Sequence, residues 1–210
     1  MSLSTVRSPA LPPLPGADLR PTEVTAHLFR CPIATPVRTS FGTMLDRPAL
    51  FLRVRDADGV IGWGEAWCNF PACGAEHRAA LLETVLGPLL CSRPFDGPAD
   101  AFTFLTERTA VLAIQSGEHG PLAQVIAGLD LALWDLAARR AGQPLWRLLG
   151  GQSARIPVYA SGINPDQPGR VAARCLDEGY RAFKLKVGFG LAHDLANLRA
   201  MRDVIGPGCR

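Results

Sequence analysis

Two lysines two residues apart, Lys184 and Lys186, are the side chains in this sequence best suited to acid–base chemistry. They stand in the run Tyr180-Arg181-Ala182-Phe183-Lys184-Leu185-Lys186-Val187-Gly188, where apolar and basic residues alternate from Phe183 onward. In an extended strand that alternation puts Phe183, Leu185 and Val187 on one face and both lysines on the other. Two ammonium groups on one face repel each other, and two arrangements make sense of them. One is an edge strand with a solvated basic face, since edge lysines discourage strand-to-strand aggregation. The other is a β/α-barrel strand whose inner face carries cationic catalytic groups. Spacing alone leaves both open.

The elements around the lysines have a clear rhythm. Residues 156–161 read as an apolar strand, 167–178 as a helix, 181–187 as the lysine strand, and 191–204 as a helix ended by Gly206-Pro207-Gly208. Strand–helix–strand–helix is the pattern of a parallel sheet or barrel. Upstream, residues 23–30 and 49–55 alternate, the latter with Leu50, Leu52 and Val54 on one face and Arg53 and Arg55 on the other. Asp56-Ala57-Asp58-Gly59 reads as a turn into a return strand over 60–66, giving an antiparallel meander. The link from Pro32 to Pro48 reads as a long loop, a length that in a compact domain points to function. Helices are predicted over 76–86, stopped by Gly87-Pro88, over 100–112, and over 122–141, stopped by Gly142-Gln143-Pro144. Strands followed by helices make an α+β domain. Residues 1–20, with Pro9, Pro12, Pro13 and Pro15, read as a disordered leader.

Composition narrows the function classes. Hydrophobic residues make up 48% and charged residues 20% of the 210, the balance of a globular protein. The net charge is +3 with no basic block, which sets aside a nucleic-acid partner. The six cysteines show no metal-binding spacing and read as scattered thiols of a cytoplasmic protein. The most apolar stretch, 121–138, is broken by Gln124, Asp130 and Asp135, so no membrane span is predicted. His27, His77, His119 and His193 share no motif, and Asp130 and Asp135, five apart on one helix, read as structural rather than as a catalytic pair.

Three stretches together carry a resemblance. The run Ala127-Gly128-Leu129-Asp130-Leu131-Ala132-Leu133-Trp134-Asp135-Leu136-Ala137, followed by Gly142-Gln143-Pro144-Leu145-Trp146 and Leu148-Leu149-Gly150-Gly151, resembles the signature helix of the mandelate racemase and muconate lactonizing group of the enolase superfamily. Ala138-Arg139 departs from the small-residue-plus-lysine step usual there. Gly62-Trp63-Gly64-Glu65 resembles that group's hairpin-exit motif, and Lys184-Leu185-Lys186 its KxK motif on the second barrel strand. The resemblance spans about residues 22–210 and favours the barrel arrangement over the edge strand.

The resemblance implies an α+β capping domain over 21–150 and, over 151–210, the first two βα units of a β/α (TIM-type) barrel that this chain leaves incomplete. It implies Lys186 as the base that removes a proton α to a substrate carboxylate, and Lys184 as a cation beside it. Capping-domain loops would close over the substrate, with Arg38, Ser40 and Phe41 from one and Asn69 and Phe70 from the other. Magnesium (Mg2+) is implied as cofactor, with its acidic ligands on later strands beyond Arg210, so no metal ligand is named in this chain. The implied reaction is racemisation, epimerisation or dehydration of a hydroxy acid or sugar acid, with cycloisomerisation or a non-catalytic remnant as alternatives. A small carboxylate substrate and a homo-oligomer are the implied partners. The 210 residues alone are expected to be inactive, because a closed barrel needs about eight βα units.

Overall fold

The computed structural model describes residues 18–39 and 42–210. These divide into two units. One holds the described residues up to Cys31 together with Arg47–Ala154; the other holds the described part of Pro32–Asp46 together with Arg155–Arg210.

A three-stranded sheet has the order β1-β2-β3, with β1 Pro21–Thr39, β2 Gly42–Asp56 and β3 Ile61–Ala66, and the first unit is built on β3 and on the parts of β1 up to Cys31 and of β2 from Arg47. β2 and β3 pair antiparallel with Leu50 opposite Ala66, Leu52 opposite Gly64 and Val54 opposite Gly62. The predicted alternation therefore holds: Leu50, Leu52 and Val54 are fully buried. Their partners are small because helix α4, His119–Arg140, lies directly on β3. Its buried stripe, Leu122, Val125, Ile126, Leu129, Ala132, Leu133 and Leu136, follows helical spacing. A Cβ added at Gly62 would strike the Ala132 carbonyl oxygen, and one added at Gly64 the Gly128 carbonyl oxygen. The hairpin-exit glycines and the small residues of the signature helix are thus two sides of one close approach. Backbone oxygens cannot swing aside as a flexible side chain would. Gly64→Ala is expected to destabilise this unit by about 3 kcal/mol, the upper end of ordinary overpacking, read as a lowered urea midpoint.

Three other helices complete the unit's core: α1 Gly74–Leu81, α2 Gly87–Leu90 and α3 Pro98–Ser116. A π-helical turn, Leu82–Leu86, joins α1 to α2. The expected stop at Gly87-Pro88 does not occur. The Gly87 N–H bonds the Leu82 oxygen five residues back, and this widened turn lets the chain pass Pro88 still helical. α3 starts with Pro98 at its first turn and ends at the left-handed Gly117. Helix α4 is long and apolar enough to cross a bilayer by those measures alone, but its apolar stripe belongs to this core. A short α5, Leu145–Leu148, follows it.

Two expectations about the start of the chain need correction. Residues 18–20 do not belong to a loose leader: Leu19 is fully buried, exchanges both backbone hydrogen bonds with Phe95 (2.8 and 2.9 Å), and the Arg20 N–H donates to Asp56. The described residues of the link from Pro32 to Pro48 are strand rather than loop, because β1 continues to Thr39 and β2 already starts at Gly42. Ile33, Val37 and Thr43 favour extended backbone. Pro32 and Pro36 are four residues apart, so their missing N–H groups fall on the same side of an edge strand, which has one side unpaired.

The second unit carries β4 Ala160–Ile163, α6 Pro168–Asp177, β5 Phe183–Leu185 and α7 Leu191–Ile205. β4 and β5 are parallel, with Ala160 opposite Phe183 and Ile163 opposite Leu185, and the register shifts between the two pairs. Ile163, Ala172, Met201, Ile205 and Cys209 form the core, with Phe183 and Leu185 packed against it. β4 starts four residues later than expected. Pro157 offers no donor to a ladder, and Ile156 and Val158 stay exposed. β5 is shorter than expected and Val187 is exposed beyond its end. There the chain turns at Gly188, φ +107°, whose N–H donates to the Asp194 carboxylate.

Candidate functional site

The site is built at β5 and the strand beside it. Phe183 and Leu185 face the helix layer, so alternation turns Lys184 and Lys186 to the opposite face. Lys184 is exposed and Lys186 half-buried. Two backbone hydrogen bonds fix the register: Ala160 N–H to the Ala182 oxygen (2.8 Å) and Lys186 N–H to the Ile163 oxygen (3.0 Å). Just past Lys186, Asp194 at the start of α7 accepts from Gly188 N–H (2.8 Å) and Phe189 N–H (3.3 Å), tying down the turn that follows.

One partner of the lysines was not foreseen. The Lys184 ammonium donates to the Tyr159 hydroxyl at 2.9 Å, and its nitrogen lies 4.9 Å from the centroid of the Tyr159 ring. Tyr159 precedes β4 and lies in the apolar run 156–161, where its hydroxyl gave no periodic signal. A second feature lies in composition. The chain has 22 basic side chains, and Lys184 and Lys186 are its only lysines. Arginine serves every other basic position, including the ion pairs of Arg30 with Glu76, Arg53 with Glu23 and Arg93 with Asp100. Arginine stays charged in proteins, whereas lysine can surrender its proton. Among the described residues neither lysine has a carboxylate partner.

The other expected site residues are placed less tellingly. Ser40 and Phe41 lie outside the described residues, as does the Arg38 side chain. Asn69 and Phe70 sit in the first unit, half-buried in the loop from β3 to α1, with the Phe70 ring 6.3 Å from that of Trp67. Among the described residues no three His, Cys, Asp or Glu side chains come together to hold a metal, so these residues do not by themselves fit a magnesium site.

Asp130 and Asp135 serve α4. Asp135 accepts from the Trp63 N–H (2.9 Å) and from Arg139 (2.8 Å), locking the helix to β3. Burial holds the Asp130 carboxyl above its ordinary value of 3.8, with a hydrogen bond to Trp134 partly offsetting that. A carboxyl raised in the folded state holds its proton more tightly there than in the unfolded chain. The contribution of Asp130 to stability is therefore full below pH 3.8 and is lost as pH rises through the raised value. Asp130→Asn is expected to melt higher than wild type at pH 7, with the gap closing below pH 3.8 in thermal scans. The histidines make local contacts: His77 with Glu118 at 2.8 Å, His27 with the Trp63 ring, and His193 with Asn197.

Known proteins share this arrangement. The profile of the mandelate racemase / muconate lactonizing enzyme N-terminal domain matches residues 22–150. A crystal structure of a mandelate racemase/muconate lactonizing enzyme from Bordetella bronchiseptica RB50 is 60% identical with a TM-score of 0.84, covering 92% of this chain and 50% of that one. A racemase from Streptomyces coelicolor A3(2) with bound magnesium is 30% identical with a TM-score of 0.78, covering 90% and 53%. A 3,6-anhydro-alpha-L-galactonate cycloisomerase of Streptomyces coelicolor is 31% identical over 189 residues, 87% of this chain and 51% of the relative. The chain spans about half the length of these relatives. Together with the strand order, the glycine-lined helix contact and the KxK strand, the matches show that this chain belongs to the mandelate racemase / muconate lactonizing enzyme group of the enolase superfamily.

Proposed function

We propose that this chain supplies the lysine side of a site that removes the proton α to a carboxylate in a hydroxy acid or sugar acid. The observation that carries it is the placement of the chain's only two lysines on the face of β5 turned away from its helices. Lys186, as a neutral amine, takes the α-proton. Lys184, as an ammonium, faces the negative charge that spreads onto the carboxylate as the proton leaves. An α-proton beside a carboxylate is very weakly acidic, so stabilising that charge is the larger part of catalysis.

Relatives of this group bear the names racemase, epimerase, dehydratase and cycloisomerase. All four outcomes can start from the same proton removal and differ in what the resulting anion does next. Racemisation or epimerisation returns a proton, dehydration expels hydroxide, and cycloisomerisation makes or breaks a ring bond. Magnesium is proposed for the full-length protein with ligands outside these 210 residues, and no step is routed through it here. The reading is tested by incubating the full-length protein with a panel of aldonic and aldaric acids in D2O and following loss of the α-proton signal by NMR. Exchange with at least one acid is expected from the full-length protein and none from the 210 residues alone. A full-length protein that exchanges no member of the panel, with any divalent metal supplied, would sink the reading.

A further inference from the structure

We propose that Tyr159 is a positioning residue for Lys184: it holds the ammonium in place through its hydroxyl without cancelling the charge. This rests on the reading of the two lysines given above and adds a residue to it. Lys184 donates to the Tyr159 hydroxyl at 2.9 Å, and its nitrogen stands 4.9 Å from the ring centroid, out beyond the hydroxyl end of the ring rather than over its face. The hydroxyl oxygen accepts the bond and fixes the direction of the ammonium.

The choice of partner is informative. Several arginines are anchored by carboxylates, as in Arg93 with Asp100 and Arg139 with Asp135, and others by neutral oxygens, as in Arg78 with Gln124. A carboxylate beside Lys184 would neutralise the field that a developing anion needs. A phenol restrains the same long, mobile side chain and leaves the full positive charge on it. The backbone supports the arrangement. Ala160 stands opposite Phe183, and its N–H bonds the Ala182 oxygen, so Tyr159 just before that pair and Lys184 just after it lie diagonally across neighbouring parallel strands.

The contact also separates the two lysines by role. Lys184 is drawn toward the segment leading into β4. Among the described residues the Lys186 ammonium makes no hydrogen bond or ion pair. One lysine is therefore held as the fixed cation, and the other is left free to gain and lose a proton. Tyr159 is about half exposed, so its substitution disturbs no core.

Two measurements test this. The 210-residue chain has only two lysines, so reductive methylation with 13C-formaldehyde yields two side-chain signals besides the amino terminus, assigned with Lys184→Arg. Tyr159→Leu, which removes the hydroxyl, is expected to move the Lys184 signal and to leave that of Lys186 in place. In the full-length protein, Tyr159→Phe, which keeps the ring and loses the hydroxyl, is expected to lower kcat for α-proton exchange about 10- to 100-fold, the cost of a misplaced group, with a smaller change in KM. Circular dichroism of both variants checks the fold. A Lys184 signal unmoved by Tyr159→Leu overturns the proposal, and so does normal kcat in Tyr159→Phe. A Lys184 signal that moves with Tyr159 in a protein whose wild type exchanges no α-proton overturns the functional reading instead, and the positioning role falls with it.

Discussion

Lys186→Arg is expected to lower kcat for α-proton exchange by about 10^3-fold or more, within the range that general acid–base groups contribute. Arginine keeps the charge and nearly the length of lysine, so contacts that depend on a cation survive and KM should change little. What arginine cannot do is give up its proton at any working pH, and the amine that accepts the substrate proton is lost. Lys184→Arg is the paired control. It keeps a cation where a cation is needed and disturbs only the Tyr159 contact, so its loss should be about tenfold, the size of a modest misplacement. The measurement is steady-state exchange kinetics on the best acid of the panel. Equal losses in the two variants would mean that the lysines do not divide the work.

Arg140→Leu is expected to destabilise the first unit by about 4 kcal/mol, as breaking one half of a buried ion pair does. Asp56 is almost wholly buried at the end of β2. One of its oxygens accepts the Arg20 N–H at 2.6 Å, and the other pairs with the Arg140 guanidinium. Arg140 also reaches Asp58 at 2.7 Å and the Asp18 carbonyl oxygen at 3.1 Å. It thereby joins the end of α4 to the β2–β3 turn and to the start of the chain. Leucine removes the cation and leaves the Asp56 carboxylate buried with a single backbone donor. Asp58→Ala removes only an exposed partner and should cost under about 1 kcal/mol. Urea unfolding of the two variants side by side separates the cases.

Much of this architecture was legible because the signals are periodic. Leu50, Leu52 and Val54 announced a buried strand face, and the stripe from Leu122 to Leu136 announced the long helix; both lie in the core as expected. The glycines of Gly62-Trp63-Gly64 were legible only as a motif. Their reason, a helix backbone in direct contact with β3, needs two distant segments to be seen together. The strand through Pro32 and Pro36 was read as part of a long loop between the alternating stretches 23–30 and 49–55. An edge strand has a side on which the missing donor costs nothing, and no local pattern reveals which strand is the edge. The continuation through Gly87-Pro88 depends on a five-residue hydrogen bond that propensity does not encode.

At the site, Lys184 and Lys186 were legible from alternation together with their place after one βα unit. Tyr159 was not, because a tyrosine in an apolar strand looks like packing until the parallel register sets it beside Lys184. The scarcity of lysine was open to view in the sequence. Its meaning emerged once several arginines were found in ion pairs and, among the described residues, the two lysines were not.

The most direct test is isotopic. Full-length protein, wild type and Lys186→Arg, is incubated in D2O with the responsive acid, and deuterium at the α-carbon is counted by mass spectrometry. The wild type should label the α-position, and Lys186→Arg should leave it at the background rate while still binding the acid. Equal labelling by the two proteins would contradict the assignment of Lys186 as the group that moves the proton.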